Sequence, residues 1–495
     1  MSEYKTIPTK AIKFSEVEEW HYKTDVSVIG YGGAGACAAI EAADAGASVT
    51  IIELAAAPGG STALSSAEIY MGGDGGTRVQ AAMGYNDTNQ AMIDYLSACA
   101  GPQADADKIK AYVEGSREHF NWLVEQGVPF KNSEYKERAI MALTDDCLLY
   151  TGSEKAWPFK DIATPCPRGH NLEVEGDNGG PLFMEIMSAA VTRREIKVRF
   201  NCRTLTLIQD EAGSVRGIRI REDLQEKNVL VERGVILCTG GFAMNRDMLK
   251  KYAPNLLRCS EPIGNPGDMG TGILMGMGVG GAAINMHEGF VSVPYYPPAS
   301  LTFGLFINAQ GQRFINEDCY HGRVGAYILQ QPGNRVYLVC SGEDYGDYEQ
   351  ISYLGASVAG TGETIIELEQ ELKLPKGQLV QTLQTYNKHA QNGEDPVFHK
   401  SAEWLKPLNA PYVGLDVTPG RGAFYPYFTL GGLDTKPSGE VLNPEGNVIA
   451  GLYAAGRTAC GVPRRGAGYN SGISVGDATF TGRMAGRAAA ARNKY

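Results

Sequence analysis

One stretch constrains this chain more than any other. Thr24-Asp25-Val26-Ser27-Val28-Ile29 leads directly into Gly30-Tyr31-Gly32-Gly33-Ala34-Gly35 and then into the alanine-rich segment Ala36–Ala45. A short, mostly apolar run before a glycine turn reads as a parallel strand buried on both faces. The alanine-rich segment reads as a helix ended by Gly46, and Ala47–Ile52 as a second strand with Glu53 at its tip, completing a βαβ unit. Gly30 allows the tight turn, Gly32 lets backbone approach a pyrophosphate, and Gly35 lets the helix lie on the strand. The helix start, including Ala34, offers free amides and a dipole to phosphates. Glu53 follows Gly35 by 18 residues, about where a carboxylate reaches an adenosine ribose. With 62 glycines a chance match to such a turn is easy, so the flanking strand and helix carry the signal.

The turn alone does not separate one dinucleotide from another. The next segment, Pro58-Gly59-Gly60-Ser61-Thr62-Ala63-Leu64-Ser65-Ser66, does. Its glycine pair and the hydroxyls of Ser61, Thr62, Ser65 and Ser66 suit a second approach to a pyrophosphate and a ribityl chain. A nicotinamide enzyme has no use for it, so the expected cofactor is FAD.

Composition narrows the partners. The 495 residues allow two or three compact units. Their 45 basic and 56 acidic side chains leave a net charge of −11, which argues against nucleic acid. Ten dispersed cysteines with no metal-ligand spacing read as reduced thiols, so no metal is expected. Charges at Glu3, Lys5, Lys10 and Lys13 break any leader-like apolar core, and no run approaches the roughly 18 to 20 apolar residues of a membrane helix. The expectation is a cytoplasmic protein without a transmembrane segment.

Further along, Lys197–Leu207, Val215–Arg221 and Val229–Leu237 read as strands of a β-meander that returns to the parallel sheet at Cys238-Thr239-Gly240-Gly241. From about His287 to about Gly420 the texture turns aromatic and proline-rich, with one amphipathic helix near Gly377–Gln391. Gly451–Gly456 is strand-like again and Asp477–Ala490 is a small-residue helix pattern. The expected divisions are an N-terminal arm (1–23), the first part of a dinucleotide domain (24–286), an inserted substrate domain (287–419) and the second part (420–495).

These motifs together resemble the flavoprotein family of fumarate reductases, succinate dehydrogenases and 3-ketosteroid dehydrogenases. The resemblance rests on the N-terminal fingerprint, Cys238–Phe242, Gly267-Asp268-Met269-Gly270-Thr271-Gly272, Gly311-Gln312-Arg313-Phe314-Ile315-Asn316-Glu317, Leu430-Gly431-Gly432 and Gly451–Gly456. It implies an α/β fold with an α+β insertion: a Rossmann-like FAD domain, with parallel sheet and meander, split around a capping substrate domain. It also implies FAD contacts from Thr239, Gly240, Asp268, Gly456, Arg457, Gly472 and Ile473. Arg457 stands where many members carry a glutamate near the ribityl chain. Succinate dehydrogenases place a flavin-linking histidine beside the glycine pair; Ser61 is there instead, implying non-covalent FAD.

Fumarate reductases of this family hold their dicarboxylate with arginines and histidines. The corresponding positions here carry Tyr320-His321, Tyr427-Phe428 and Tyr469. A dicarboxylate there would be buried without its charge partners, at a cost on the order of several kcal/mol. Tyrosines instead hydrogen-bond a neutral carbonyl and line an apolar cavity. With Gly468-Tyr469-Asn470-Ser471-Gly472, this looks similar to the 3-ketosteroid Δ4-(5α)-dehydrogenase branch. By that resemblance Tyr469 holds the ketone oxygen, Ser471 takes the proton from the adjacent carbon, and Tyr320 relays it onward, with His321 an alternative carrier. The expected substrate is an apolar, steroid-like ketone and the electron acceptor is unidentified. The alternatives are an enone reductase running in reverse, a fumarate reductase-like dicarboxylate enzyme, and a flavin-binding protein without turnover. Tyr295, Tyr296, Phe424, Tyr425 and Phe428 are candidates for steroid-facing walls or ordinary core.

Overall fold

The computed structural model describes residues 6–346 and 348–495; Met1–Lys5 of the expected N-terminal arm lie outside the described residues. Strand Tyr22–Ile29, whose last six residues are all buried, sits in the middle of a nine-stranded sheet. Val49–Ile52 and then Lys197–Arg199 extend the parallel sheet on one side. On the other side lies Gln225–Leu237, parallel to Tyr22–Ile29. This long strand serves two neighbours. Its first half pairs antiparallel with Val215–Glu222, and Val235–Leu237 pairs parallel with Leu452–Ala454 of the returning C-terminal strand. The predicted mixture of parallel sheet and meander is the observed one.

One expected strand divides. Lys197–Leu207 reads as a single run, but Lys197–Arg199 lies beside Val49–Ile52, whereas Arg203–Gln209 lies across the sheet beside Val215–Glu222. The break falls at Asn201, with φ of 51°, a left-handed conformation that asparagine tolerates better than most residues. There the amides of Asn201 and Cys202 donate to the carbonyls of Ala55 and Glu53, turning the chain over the sheet edge.

The inserted segment makes its own antiparallel sheet, in the order Leu305–Asn308, Val336–Ser341, Tyr412–Asp416, Val358–Gly362. Helix Gln378–Ala390 packs on it because Leu379, Leu383, Tyr386 and Ala390 recur at helical spacing and are all buried. A three-stranded ribbon, Glu261–Pro262, Pro426–Thr429 and Gly289–Val291, joins this unit to the large sheet.

Two helices close the nucleotide side. Gly33–Asp44 starts in the glycine turn, and Ile473–Ala491 lies against it. The contact is backbone to backbone: a methyl group on Gly482 or Gly486 would overlap the carbonyl oxygens of Ala34 or Ala38. Small residues in the last 20 positions thus let the C-terminus complete a site begun at residue 24.

Candidate active site

The glycine turn has the geometry its spacing predicts. Gly30 has φ of 101°, and a methyl group on Gly35 would collide with the Gly30 carbonyl. Gly32 differs, because a methyl there would meet nothing closer than 3.7 Å. Packing does not require that glycine, and the space in front of its backbone is open. Glu53 sits at its strand tip and accepts from the amides of Tyr31 and Ala55, both at 2.7 Å.

The second glycine segment folds back on this turn. Gly60 approaches Gly32, and the Thr62 hydroxyl accepts from the Gly33 amide at 3.1 Å. Ser61 accepts from the Asn265 amide at 2.9 Å. The Ser65 and Ser66 hydroxyls are occupied locally, accepting from the amides of Ala67 and Glu68. Thr239 accepts from the Gly272 amide, and Gly240 runs beside Asp268. Asp268 is 2% exposed; burial raises its pKa while Arg457, 2.9 Å away, opposes the rise. Arg457 and the Gly241 amide are the groups that favour its ionised form. Gly456 packs against Ala34 of the first helix, and Gly472, with φ of 84°, leads into the last helix at Ile473.

Beyond this cradle the chain gathers aromatic rings from four distant segments. Tyr469 lies 4.4 Å from Phe290, 5.4 Å from Phe428 and 6.5 Å from Tyr320, centroid to centroid. Tyr320 precedes helix His321–Ile328 and is fixed by its amide, which donates to Ser153 Oγ. Burial raises both phenols, Tyr320 well above its usual value and Tyr469 to about 12, so both are neutral donors at any working pH. Ser471 faces Tyr320 and has its backbone clamped by Thr151, whose carbonyl accepts from the Ser471 amide and whose hydroxyl donates to the Ser471 carbonyl. His321 lies beside Tyr320, and its Nδ1 pairs with Ser292 Oγ at 2.8 Å. Burial, helped by the Arg138 charge, lowers its pKa to about 3.

Of the five aromatic wall candidates, Phe428 joins the tyrosine pair and Tyr296 lies beside His321. Tyr295 and Tyr425 are core, their hydroxyls donating to the carbonyls of Glu317 and Val417, and Phe424 is exposed. The sequence reading left out Phe290, Thr151 and Glu68. For Phe290 and Thr151 no local signal exists. Glu68 had one: a single acid among the small and apolar residues Ala63–Met71. Its carboxyl is 2% exposed and faces Ser471, Thr151 and both site tyrosines.

A parallel βαβ glycine cradle, closed by a C-terminal helix and set beside a buried cluster of aromatic rings, defines a flavoprotein oxidoreductase. The match to the "FAD binding domain" family spans residues 25–474, and the chain belongs to that family, with FAD as its cofactor. A solved 3-ketosteroid-Δ4-(5α)-dehydrogenase from Rhodococcus jostii RHA1, in complex with 4-androstene-3,17-dione, is 39% identical, with a TM-score of 0.92 over 98% of this chain and 100% of its own. A fumarate reductase (cytochrome) from Shewanella frigidimarina is 27% identical over 96% of this chain and 78% of its own. A 3-oxo-5-alpha-steroid 4-dehydrogenase from Comamonas testosteroni is 24% identical over 88% and 93% respectively. Among the described residues no cluster could hold a metal ion, and no helix is long and apolar enough to cross a membrane.

Proposed function

We propose that this protein is an FAD-dependent 3-ketosteroid dehydrogenase that introduces a double bond next to the ring ketone, between carbons 4 and 5 of a 5α-reduced substrate. The observation that carries the reading is the cluster of Tyr469, Tyr320, Phe290 and Phe428, with both phenols neutral, beside Ser471. Arg457, whose charge reaches Tyr469, is already ion-paired with Asp268, so that cation is not left free for a dicarboxylate. The resemblance to a dehydrogenase solved with 4-androstene-3,17-dione supports the same substrate class.

In this reading Tyr469 donates to the ketone oxygen, where negative charge grows as the adjacent carbon loses its proton. Ser471 accepts that proton, and Tyr320 passes it on without itself carrying a charge. Phe290 and Phe428 exclude water and hold the ring system flat. The backbone of Gly32–Gly35 and Gly60–Thr62 holds the pyrophosphate, Glu53 the adenosine ribose, and Thr239, Asp268 and Arg457 the ribityl side. Ser61, bonded to Asn265, offers no covalent attachment, so FAD is held non-covalently. Bound FAD supplies the electron-pair sink for the hydride. The segment 287–419 acts as the cap over the substrate.

Anaerobic mixing of the yellow holoenzyme with 5α-androstane-3,17-dione bleaches the flavin in the proposed direction. Failure of any saturated 3-keto steroid to bleach it, with reoxidation of the reduced enzyme by 4-androstene-3,17-dione, assigns the reverse, enone-reducing activity. Tyr469→Phe is expected to slow bleaching about 10²-fold or more, as for loss of one oxyanion donor, while FAD stays bound. Turnover of fumarate would overturn the reading.

A further inference from the structure

Glu68 is the buried ionisable group that the proposed chemistry leaves unused. It follows Ala67, whose φ of 49° turns the chain inward, and precedes strand Ile69–Tyr70, where the Tyr70 amide donates to the Gly472 carbonyl. The carboxyl is thereby wedged between two glycines. A methyl group on Gly169 or on Gly472 would sit 3.1 Å from Glu68 Oε1. Both oxygens are buried, with the Thr151 and Ser471 hydroxyls as the donors beside them. The basic groups nearby are committed elsewhere: Arg168 forks onto Asp87 and Arg457 pairs with Asp268.

What faces the carboxyl is the reacting end of the pocket. The hydroxyls of Ser471 and Thr151 lie on one side, the Tyr320 and Tyr469 phenols border it, and Glu154 and Asp177 add like charge. Glu154 is itself held by Tyr70 and the Gly152 amide. A carboxyl offset by two neutral hydroxyls rather than by a cation is costly to bury and is retained where its protonation does something.

We propose that Glu68 is the proton acceptor behind Ser471, a positioning residue that never touches the steroid but receives the proton through the serine hydroxyl. This inference rests on the dehydrogenase reading above. The C–H bond beside the ketone breaks, its proton goes to Ser471 Oγ, and the serine's own proton moves to a Glu68 carboxylate oxygen. The neighbouring carbon loses a hydride to bound FAD, and the carbon–carbon double bond forms. The substrate loses two electrons and two hydrogens. One hydrogen reaches Glu68 as a proton, which the adjoining Tyr320 then relays onward; the other leaves with both electrons. Run in reverse, protonated Glu68 supplies the proton through Ser471.

Burial first, then Glu154 and Asp177, push the Glu68 pKa up to about 8, against the Thr151 and Ser471 hydroxyls. The group therefore changes state within the working range, and the two directions have opposite pH dependence. Flavin bleaching by 5α-androstane-3,17-dione needs the carboxylate and should rise about tenfold per pH unit before levelling above about 8. Reoxidation of reduced enzyme by 4-androstene-3,17-dione needs the acid and should fall across the same range.

The test is single-turnover flavin spectroscopy from pH 6 to 10 on wild-type holoenzyme, Glu68→Gln and Glu68→Asp, with infrared difference spectra of the carboxyl band recorded in parallel. Glu68→Gln is expected to bind 4-androstene-3,17-dione normally, as judged by the flavin shift. It should bleach at least 50-fold more slowly at pH 9 and lose the pH dependence. Glu68→Asp should recover part of the rate with a displaced inflection, which a structural role would not give. Wild-type pH dependence in Glu68→Gln overturns the proposal, as does a Glu68 carboxyl that the infrared spectra show ionised from pH 6 upward. If wild type bleaches with no steroid, the substrate reading fails instead. The infrared titration still decides Glu68, even should Glu68→Gln misfold, because wild type and Glu68→Asp carry it.

Discussion

Glu317 in the inserted domain and Glu68 beneath the tyrosine pocket are both almost fully buried, yet the chain treats them in opposite ways. Glu317 is surrounded by donors. Arg313 forks onto it at 2.9 and 2.6 Å, Lys400 lies 3.3 Å away, and the Phe306 amide donates at 3.2 Å. Asp395 balances the remaining arginine charge at 2.7 Å. Glu68 has no such partner, and its two nearest acidic neighbours push it further toward the neutral form. Equal burial thus goes with a charge-paired carboxyl in one place and a poised acid in the other. What separates structure from chemistry here is the partner set, not the depth.

The largest effect should come from removing the charge at the satisfied end. Glu317→Gln leaves Arg313 and Lys400 facing a neutral amide, and breaking a buried ion network from one side costs roughly 3–5 kcal/mol. Urea unfolding followed by flavin release should report that loss. A change below about 1 kcal/mol would mean the network contributes little and would erase the contrast with Glu68.

The same substitution at Glu68 should have the opposite sign. The reference carboxyl has a pKa of 4.5 and the folded one about 8, so the unfolded chain gives up its proton first. Wild type therefore loses stability as the pH rises from about 4.5 through about 8, and glutamine does not. At about 1.4 kcal/mol per unit the ceiling is roughly 5 kcal/mol, and about half of it is expected once the site relaxes. Glu68→Gln holoenzyme should melt higher than wild type at pH 9, with the gap closing below pH 5. A lower melting temperature at pH 9 would show Glu68 stabilising the fold as an ion.

A smaller effect separates charge from geometry in the Glu317 network. Arg313→Lys keeps the charge but loses the fork that holds Glu317 and Asp395 together, for about 1–3 kcal/mol. If lysine serves as well as arginine, proximity of charge rather than the fork holds the network together.

The contrast also explains what could be read in the sequence. The cradle is made of backbone, so its requirements appear as glycines at fixed offsets within one short stretch, and Gly30, Gly35 and Glu53 stand where the pattern puts them. The pocket is made of side chains from residues 68, 290, 320, 428, 469 and 471. No local periodicity links these positions; Tyr320, Tyr469 and Ser471 were found through family resemblance and Phe290 not at all. The strand break at Asn201 escaped for a related reason. Its cause is a pair of hydrogen bonds to Glu53 and Ala55, about 150 residues earlier.

The smallest expected effect concerns His321, which neighbours Tyr320 and competes with it as proton carrier. Its ring lies 4.1 Å from the Tyr320 ring, but Nδ1 is occupied by Ser292 and Nε2 is buried without a partner. Burial and Arg138 lower its pKa from 6.5 to about 3, so the folded protein keeps it neutral while the unfolded chain protonates first on acidification. It therefore costs stability as the pH falls from about 6.5 toward 3 and has no titration left to contribute near pH 8. A carrier there would have to hold a positive charge against both forces, whereas a phenol can accept and release a proton while staying neutral. His321→Asn, which can still pair with Ser292, should leave bleaching within about threefold of wild type and its inflection near 8 unmoved, while Tyr320→Phe slows it at least tenfold. Should the asparagine variant lose the rate and the phenylalanine variant keep it, the proton leaves through the imidazole, and Glu68 and His321 together form the relay.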